Sequence, residues 1–152
     1  MKQYSFYNVD LIIDGFVIAD GFSDSNAIIT ASRDAPQHGK VMDARGKMIA
    51  VSSADKSGTI SFDLLQTSDT NTWMQTRALA SHDSATSGGT DTFIPVQVMI
   101  NDKMGRAVAT GVNGMIVMQP AMARGTGLTT NTWVLQFEQL WIALGEYETV
   151  GV

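Results

Sequence analysis

Three stretches of this 152-residue chain hold the residue types of a reactive site, and each fails on spacing. Ser81-His82-Asp83 has the components of a hydrolase triad, but consecutive residues point apart and cannot line up in series. Ser53-Ala54-Asp55-Lys56 fits S-x-x-K, a pattern that needs a helix to bring the lysine beneath the serine. Here Gly58 follows closely and the segment runs into a strand. ARGTGL, around Gly125 and Gly127, has glycines but lacks the lysine and the serine or threonine of a phosphate loop, so it reads as a flexible turn. His38 and His82 are the only histidines, both in expected loops and without the close pairing of a zinc site. DGFSDS, Asp20 to Ser25, only faintly resembles a calcium loop and reads as a surface turn. Cysteine is absent, which excludes thiolate catalysis, disulfides and zinc–thiolate sites. No reaction, metal or cofactor is nominated.

One carboxylate stays of interest. In GTISFDLL, Thr59, Ser61 and Asp63 alternate with Ile60, Phe62 and Leu64, which is a strand with one apolar face and one small, wet face. Gln136 and Glu138 in TWVLQFEQLWIAL, and Gln97 in FIPVQVMI, give two further strands modest polar faces. The plain reading is a set of solvated strand faces. A second reading is a sheet that turns its apolar side to its own core and its wet side to a shared channel. In a cyclic oligomer one carboxylate per copy becomes a ring, and such rings repel polyanions. One slip of register would invert the assignment.

The elements that must position these residues are mostly strands. Val9 to Ile18 and Asn26 to Ser32 read as the first two, separated by ADGFSDS. Arg33 to Lys56 is a long excursion with Pro36, Gly39, Gly46 and no sustained period, apart from a short strand at Met48 to Ser53. Gly58 to Leu65 is a strand. A helix follows over Thr70 to Ala80, capped by Ser68 or Asp69, with Trp73, Met74, Arg77 and Leu79 to Ala80 on its stripe. Ser81 to Asp91 is a polar, glycine-bearing loop. Phe93 to Ile100 is a strand, and Arg106 to Gln119 is one or two, with Gly111 and Gly114 marking a bulge or bend. In the last strand, Thr132 to Leu144, the alternation puts Trp133, Leu135, Phe137, Trp141 and Ala143 on one face. The sum is a single domain, residues 1–152: a mainly β antiparallel barrel or sandwich of about seven or eight strands, with one helix and a long charged loop at 33–56.

Composition points toward assembly. Charged residues are 16% of the chain, against roughly 25% in an average soluble domain. With 44% hydrophobic residues and nine methionines, much of the surface is expected to be covered by other copies or partners. No apolar run reaches the ~20 residues of a membrane helix. MKQYSFYNVD lacks the apolar core of a signal peptide, so folding in a cytoplasm is expected. A net charge of −5 weighs against tight nucleic-acid binding. Residues 33–56 hold five basic and three acidic residues, and the rest holds five and twelve: a basic segment of +2 on a body of −7.

SGTISFDLLQTSDTNTW, a polar-alternating strand running through LLQTS into a capped helix, resembles the tail tube proteins of contractile-tailed bacteriophages. VDLIIDGFVIADGFSDSNAIITASRD is similar to their opening, two strands leading to a charged excursion. The likeness spans roughly residues 10 to 80, and the segment around SHDSATSGGTDT departs from it. The resemblance implies a fold shared with the tube proteins of type VI secretion, with six subunits closing a ring and rings stacking into a tube inside a sheath. It implies a virion tail protein assembled in the host cytoplasm, partnered by itself and by sheath, tape measure, baseplate and tail terminator proteins. DNA would pass through the lumen without specific binding, and no membrane is involved. Thr59, Ser61, Asp63, Gln136 and Glu138 are then expected to face the lumen. Arg33, Lys40, Arg45 and Lys47 are expected at the contact between rings, since a basic excursion on an acidic body suits head-to-tail stacking.

Two alternatives stand beside this reading. A type VI secretion-like tube shares the fold but carries effectors. A small β-barrel binding module would line a groove with Trp73, Trp133 and Trp141, residues that core or interface packing also explains. An enzyme is the weakest reading, because no residue set nominates a reaction.

Overall fold

A computed structural model describes residues 1–18, 20–86 and 95–147, with all side chains there except those of residues 81 and 83–86. The described residues form nine strands and one α-helix: β1 Val9–Ile13, β2 Phe16–Ile18, β3 Ile29–Arg33, β4 His38–Met42, β5 Met48–Ser52, β6 Gly58–Leu65, α1 Thr70–Thr86, β7 Val96–Asp102, β8 Ala107–Met118 and β9 Thr130–Ala143. Seven strands make one antiparallel sheet in the order β2-β1-β7-β8-β9-β6-β3, and β4 pairs with β5 in a separate hairpin. The large sheet is not a closed barrel, since β2 and β3 are its two edges. It nevertheless curls. Leu11 and Ile13 of β1 share one core cluster with Ile60 and Phe62 of β6, although three strands lie between them in the sheet order.

The mainly β expectation holds, with local differences. Val9 to Ile18 is two strands, because Asp14 and Gly15 take positive φ and turn the chain back tightly. The excursion at 33–56 is a β-hairpin of β4 and β5, whose turn is built by Asp43. The Asp43 carboxylate accepts from the backbone N–H of Arg45 and of Lys47, each at 2.8 Å, and Gly46 supplies a φ of +85°. Short-range turn chemistry of this kind reverses the chain and sets the hairpin register without a hydrophobic period to signal it. The helix continues past Ala80 to Thr86, so the first part of the expected loop is helical, while residues 87–94 lie outside those described. Ser68 does not cap it: its hydroxyl is buried without a partner, beside Gly21, where a Cβ would come within 2.4 Å of it. Asn71 ties the helix down instead, donating to the Leu65 carbonyl at 2.8 Å and accepting from Trp133 Nε1 at 2.9 Å. Met74 is buried, whereas Leu79 is exposed.

The largest departure lies in β8 and β9. Burial in β9 falls on Trp133, Leu135 and Phe137 and then skips to Leu140, so Trp141 and Ala143 leave the core side and point outward. β8 carries the matching irregularity: Asn113 has φ +53°, and the pairing with β7 shifts register between Val96 and Val98. Because both strands hold the extra residue, the β8–β9 register runs unbroken through it, from Val112↔Gln139 to Gly114↔Phe137. This is the bend signalled by Gly111 and Gly114. A Cβ on either glycine would lie within 2.7 Å of the Phe137 ring. Strict alternation misassigns Trp141 because a bulge inverts the inward and outward sense of everything beyond it.

Tyr4 and Tyr147 meet at the turn between β7 and β8. Tyr147 donates to Asp102 at 2.7 Å, Asp102 also accepts from the N–H of Met104 and Gly105, and Tyr4 packs edge-on against Tyr147. Beside them a cleft of about 650 Å³ is lined by Phe6, Phe22, Ile29 and Ile100.

Two predictions follow from this packing. Gly114→Ala places a methyl 2.3 Å from the Phe137 ring and 2.9 Å from the Val96 carbonyl, and backbone cannot step aside as a flexible side chain would. A loss of about 1–3 kcal/mol is expected in urea unfolding. The hydrogen bond to Asp102 raises the Tyr147 pKa above the usual value of about 10. A folded pKa above the unfolded one means that the latch contributes fully below the unfolded value and is lost as pH rises through the folded value. In ultraviolet titration the latest-ionising tyrosine is therefore expected to vanish in Tyr147→Phe; a lost component at the ordinary position would contradict the latch.

Candidate functional site

Strand pairing gathers the wet residues of the sequence onto one surface. In the β6–β9 register Thr59 stands opposite Gln136, Ser61 opposite Val134, and Asp63 opposite Thr132. On the other flank β3 sets Thr30 against Ser61 and Ser32 against Thr59. Partners in antiparallel register project to the same side. That side is away from the core, because Ile60, Phe62 and Leu64 between them are buried. Thr59, Ser61, Asp63, Gln136 and Glu138 are thus brought together on a single half-exposed to exposed face.

Its acids are held by neutral donors. Thr132 Oγ1 donates to Asp63 at 2.7 Å, Thr59 Oγ1 to Asp34 at 2.7 Å, and Asn113 Nδ2 to Glu138 at 2.9 Å. Such bonds fix the side chains and leave the negative charge in place, so the face presents an acidic, hydroxyl-rich surface. Nothing in it pairs a base with a nucleophile. Among the described residues there is also no group of three or more His, Asp or Glu placed to hold a metal ion.

The basic residues divide. Lys40, Arg45 and Lys47 are exposed on the β4–β5 hairpin, where Asp43 is already committed to the turn. Arg33 sits lower, in β3, half-buried, and donates to the Leu140 carbonyl at 3.0 Å. It braces the foot of the hairpin. Beside it Asp55 accepts from the Ser57 hydroxyl at 2.6 Å and the Ser57 N–H at 2.9 Å. These two bonds, with Arg33 a smaller influence, hold the Asp55 carboxyl below its usual range. That contribution is present at neutral pH and is lost as pH falls through the lowered pKa.

The three tryptophans do not share a groove. Trp73 stacks on Phe16 with ring centroids 5.1 Å apart and lies under the Arg77 guanidinium, which also pairs with Asp14. Trp133 is a core residue, and Trp141 lies on the opposite face of the sheet. Sequence reasoning missed Asn113 and the outward turn of Trp141; the three-residue spacing of Gly111 and Gly114 was the available signal.

A family model described as "Bacteriophage PhiTE tail tube protein" matches residues 1–145. A search of curated proteins returns no match. Among solved structures the chain is similar to one from the sheath–tube complex of the extracellular contractile injection system PVC in its extended state. That likeness has a TM-score of 0.56 at 10% identity and covers 93% of this chain and 92% of that one. It is also similar to a chain of the anti-feeding prophage cap, which terminates the AFP tube (TM-score 0.54, 11% identity, 94% and 93% covered). A chain from the PVC sheath/tube terminator is alike to the same degree (TM-score 0.54, 10% identity, 94% and 98% covered). At such identities the likeness is one of fold, and it is the family match over nearly the whole chain that assigns membership. The chain belongs to the PhiTE bacteriophage tail tube protein family and is a structural component of a phage tail.

Proposed function

We propose that six copies of this chain close a ring around a channel, that rings stack into a tail tube, and that the tube conducts DNA during ejection. The observation that carries this reading is the open seven-stranded sheet, with free edges at β2 and β3 and an acidic, hydroxyl-rich outer face over β6 and β9. Free edges are a hazard for a monomer and become joints when a neighbour supplies the next strand. With Thr59, Ser61, Asp63, Gln136 and Glu138 turned to the lumen, each ring lines the channel with like charge, and a polyanion slides without being held.

Lys40, Arg45 and Lys47 reach toward the next ring, while Arg33 acts through the foot of the hairpin. The chain has no catalytic role. It assembles in the host cytoplasm, ends in the virion tail, and meets sheath, tape measure, baseplate and tail terminator proteins along the tube. A secretion-type tube would share this geometry, and the family match favours the phage tail.

Negative-stain electron microscopy of concentrated protein is expected to show rings and hollow filaments; monomers alone at every concentration would refute the reading. The triple reversal Lys40→Glu, Arg45→Glu, Lys47→Glu is expected to shorten or abolish filaments while leaving the circular dichroism of the monomer unchanged. Raised salt should act in the same direction on the unmodified protein, because screening weakens exposed charge pairs. Asp63→Lys with Glu138→Lys is expected to leave assembly intact and to make the filaments retain DNA in co-sedimentation.

A further inference from the structure

Among the described residues two apolar arrays lie uncovered. The first is a row that crosses five strands. Val17 stands opposite Ile12, Ile12 opposite Met99, Met99 opposite Thr110, and Thr110 opposite Trp141. Residues in register share a face, and here it is the outer one, since Leu11, Ile13, Val98 and Leu140 beside them are buried. Val17 is 50% exposed, Met99 39% and Trp141 47%. The bulge in β8 and β9 creates the row: without it Trp141 would face the core.

The second array is on the hairpin. Val41 pairs with Ile49 and Gly39 with Val51, which puts all three apolar side chains on one face, each about half exposed. His38, Lys40 and Met42 take the other face with Ser52, Ala50 and Met48, so that face mixes a charge with two exposed methionines. A free two-stranded ribbon is marginal in water, and contiguous exposed apolar surface marks a place of contact.

Neither array is covered by the described residues. The hairpin is rooted between β3 and β6, at the far side of the sheet from β1 and β2, and all ten of its strand residues are exposed. The occupant must therefore come from elsewhere, and charge selects it. Residues 38–52 hold three basic residues and one acidic, and the rest of the chain holds seven and fourteen, so a ribbon of +2 meets a body of −7. Asp10, two residues along β1 from Ile12 and on the same outer side, is paired with Lys103 at 3.1 Å, so the selecting charge is that of the body as a whole.

We infer that the Val41–Ile49–Val51 face of one copy's hairpin seats on the Val17–Ile12–Met99–Thr110–Trp141 row of a second copy. The inference rests on the tube reading and specifies which surfaces meet when rings join. Apolar contact supplies the attraction, and Lys40, Arg45 and Lys47 orient it against the acidic body.

The absence of cysteine makes the test clean. Ile49→Cys and Met99→Cys are made as separate variants, one with a size tag, mixed, assembled and oxidised. A disulfide between them requires the two Cα atoms to approach within about 7 Å. Ile49→Cys mixed with Ser61→Cys, on the wet face, serves as control. A mixed dimer in the first pair and none above background in the control is the expected result. Filaments by electron microscopy with no Ile49–Met99 product, or with equal product in the control, would overturn this docking and leave the tube standing. If neither filaments nor product form, both fail; product without filaments would keep the docking and remove the tube.

Discussion

Phe137 has room over β8 only because positions 111 and 114 carry no side chain. That contact organises much of the molecule. The ring occupies the space above both glycines, Asn113 takes a left-handed conformation between them, and β9 absorbs an extra residue at the same level. The bend is shared by the two central strands and is not matched by β6 or β7, so the sheet is re-aimed across its middle. On one side of the bend the outer face is Gln136 and Glu138 beside Thr59 and Asp63. On the other it is Trp141 beside Thr110 and Met99. A single sheet thereby acquires a wet outer half and an apolar outer half while its inner face stays apolar apart from Asp102 at the end of β7.

A chain that folds this way is stable yet unfinished. Its core draws on both ends of the sheet and on Met74 of α1, so curl and helix together bury Leu11, Phe62 and Leu135. Its edges, its hairpin and its outer face remain available. Low charge and abundant methionine leave an exposed surface that is apolar and adaptable in shape. The acids that do remain on the wet face are bonded to threonine and asparagine and not to cations, which keeps their charge and fixes their position. Such an arrangement suits repulsion of a polyanion better than it suits catalysis.

In this chain the sheet order leaves β2, only three residues long, at one edge and β3 at the other. The hairpin lies between β3 and β6, where it projects without disturbing either pairing. Arg33, bonded to the Leu140 carbonyl, and the Asp55–Ser57 cluster stiffen its foot. The device that reaches outward is thus anchored at the residues where the wet face of β6 begins.

The period-two pattern of residues 58 to 65 was sufficient to define β6, its buried face and its wet face, because alternation in a strand is a local property of the backbone. The polar stretch of β9 and the helix start at Thr70 were legible for the same kind of reason. The family resemblance ran over roughly residues 10 to 80, through the opening strands and on into SGTISFDLLQTSDTNTW. Three features were not legible. The hairpin strand β4 has no hydrophobic period, since neither of its faces is covered in the single chain. The helix runs past Ala80 through residues that composition assigns to a loop. Trp141 faces outward because a bulge 28 residues away in sequence, at Asn113, is matched in β9. Local pattern determined which residues form strands and which sides of them are apolar; tertiary pairing decided which way those sides point, because a bulge changes direction only through its partner strand.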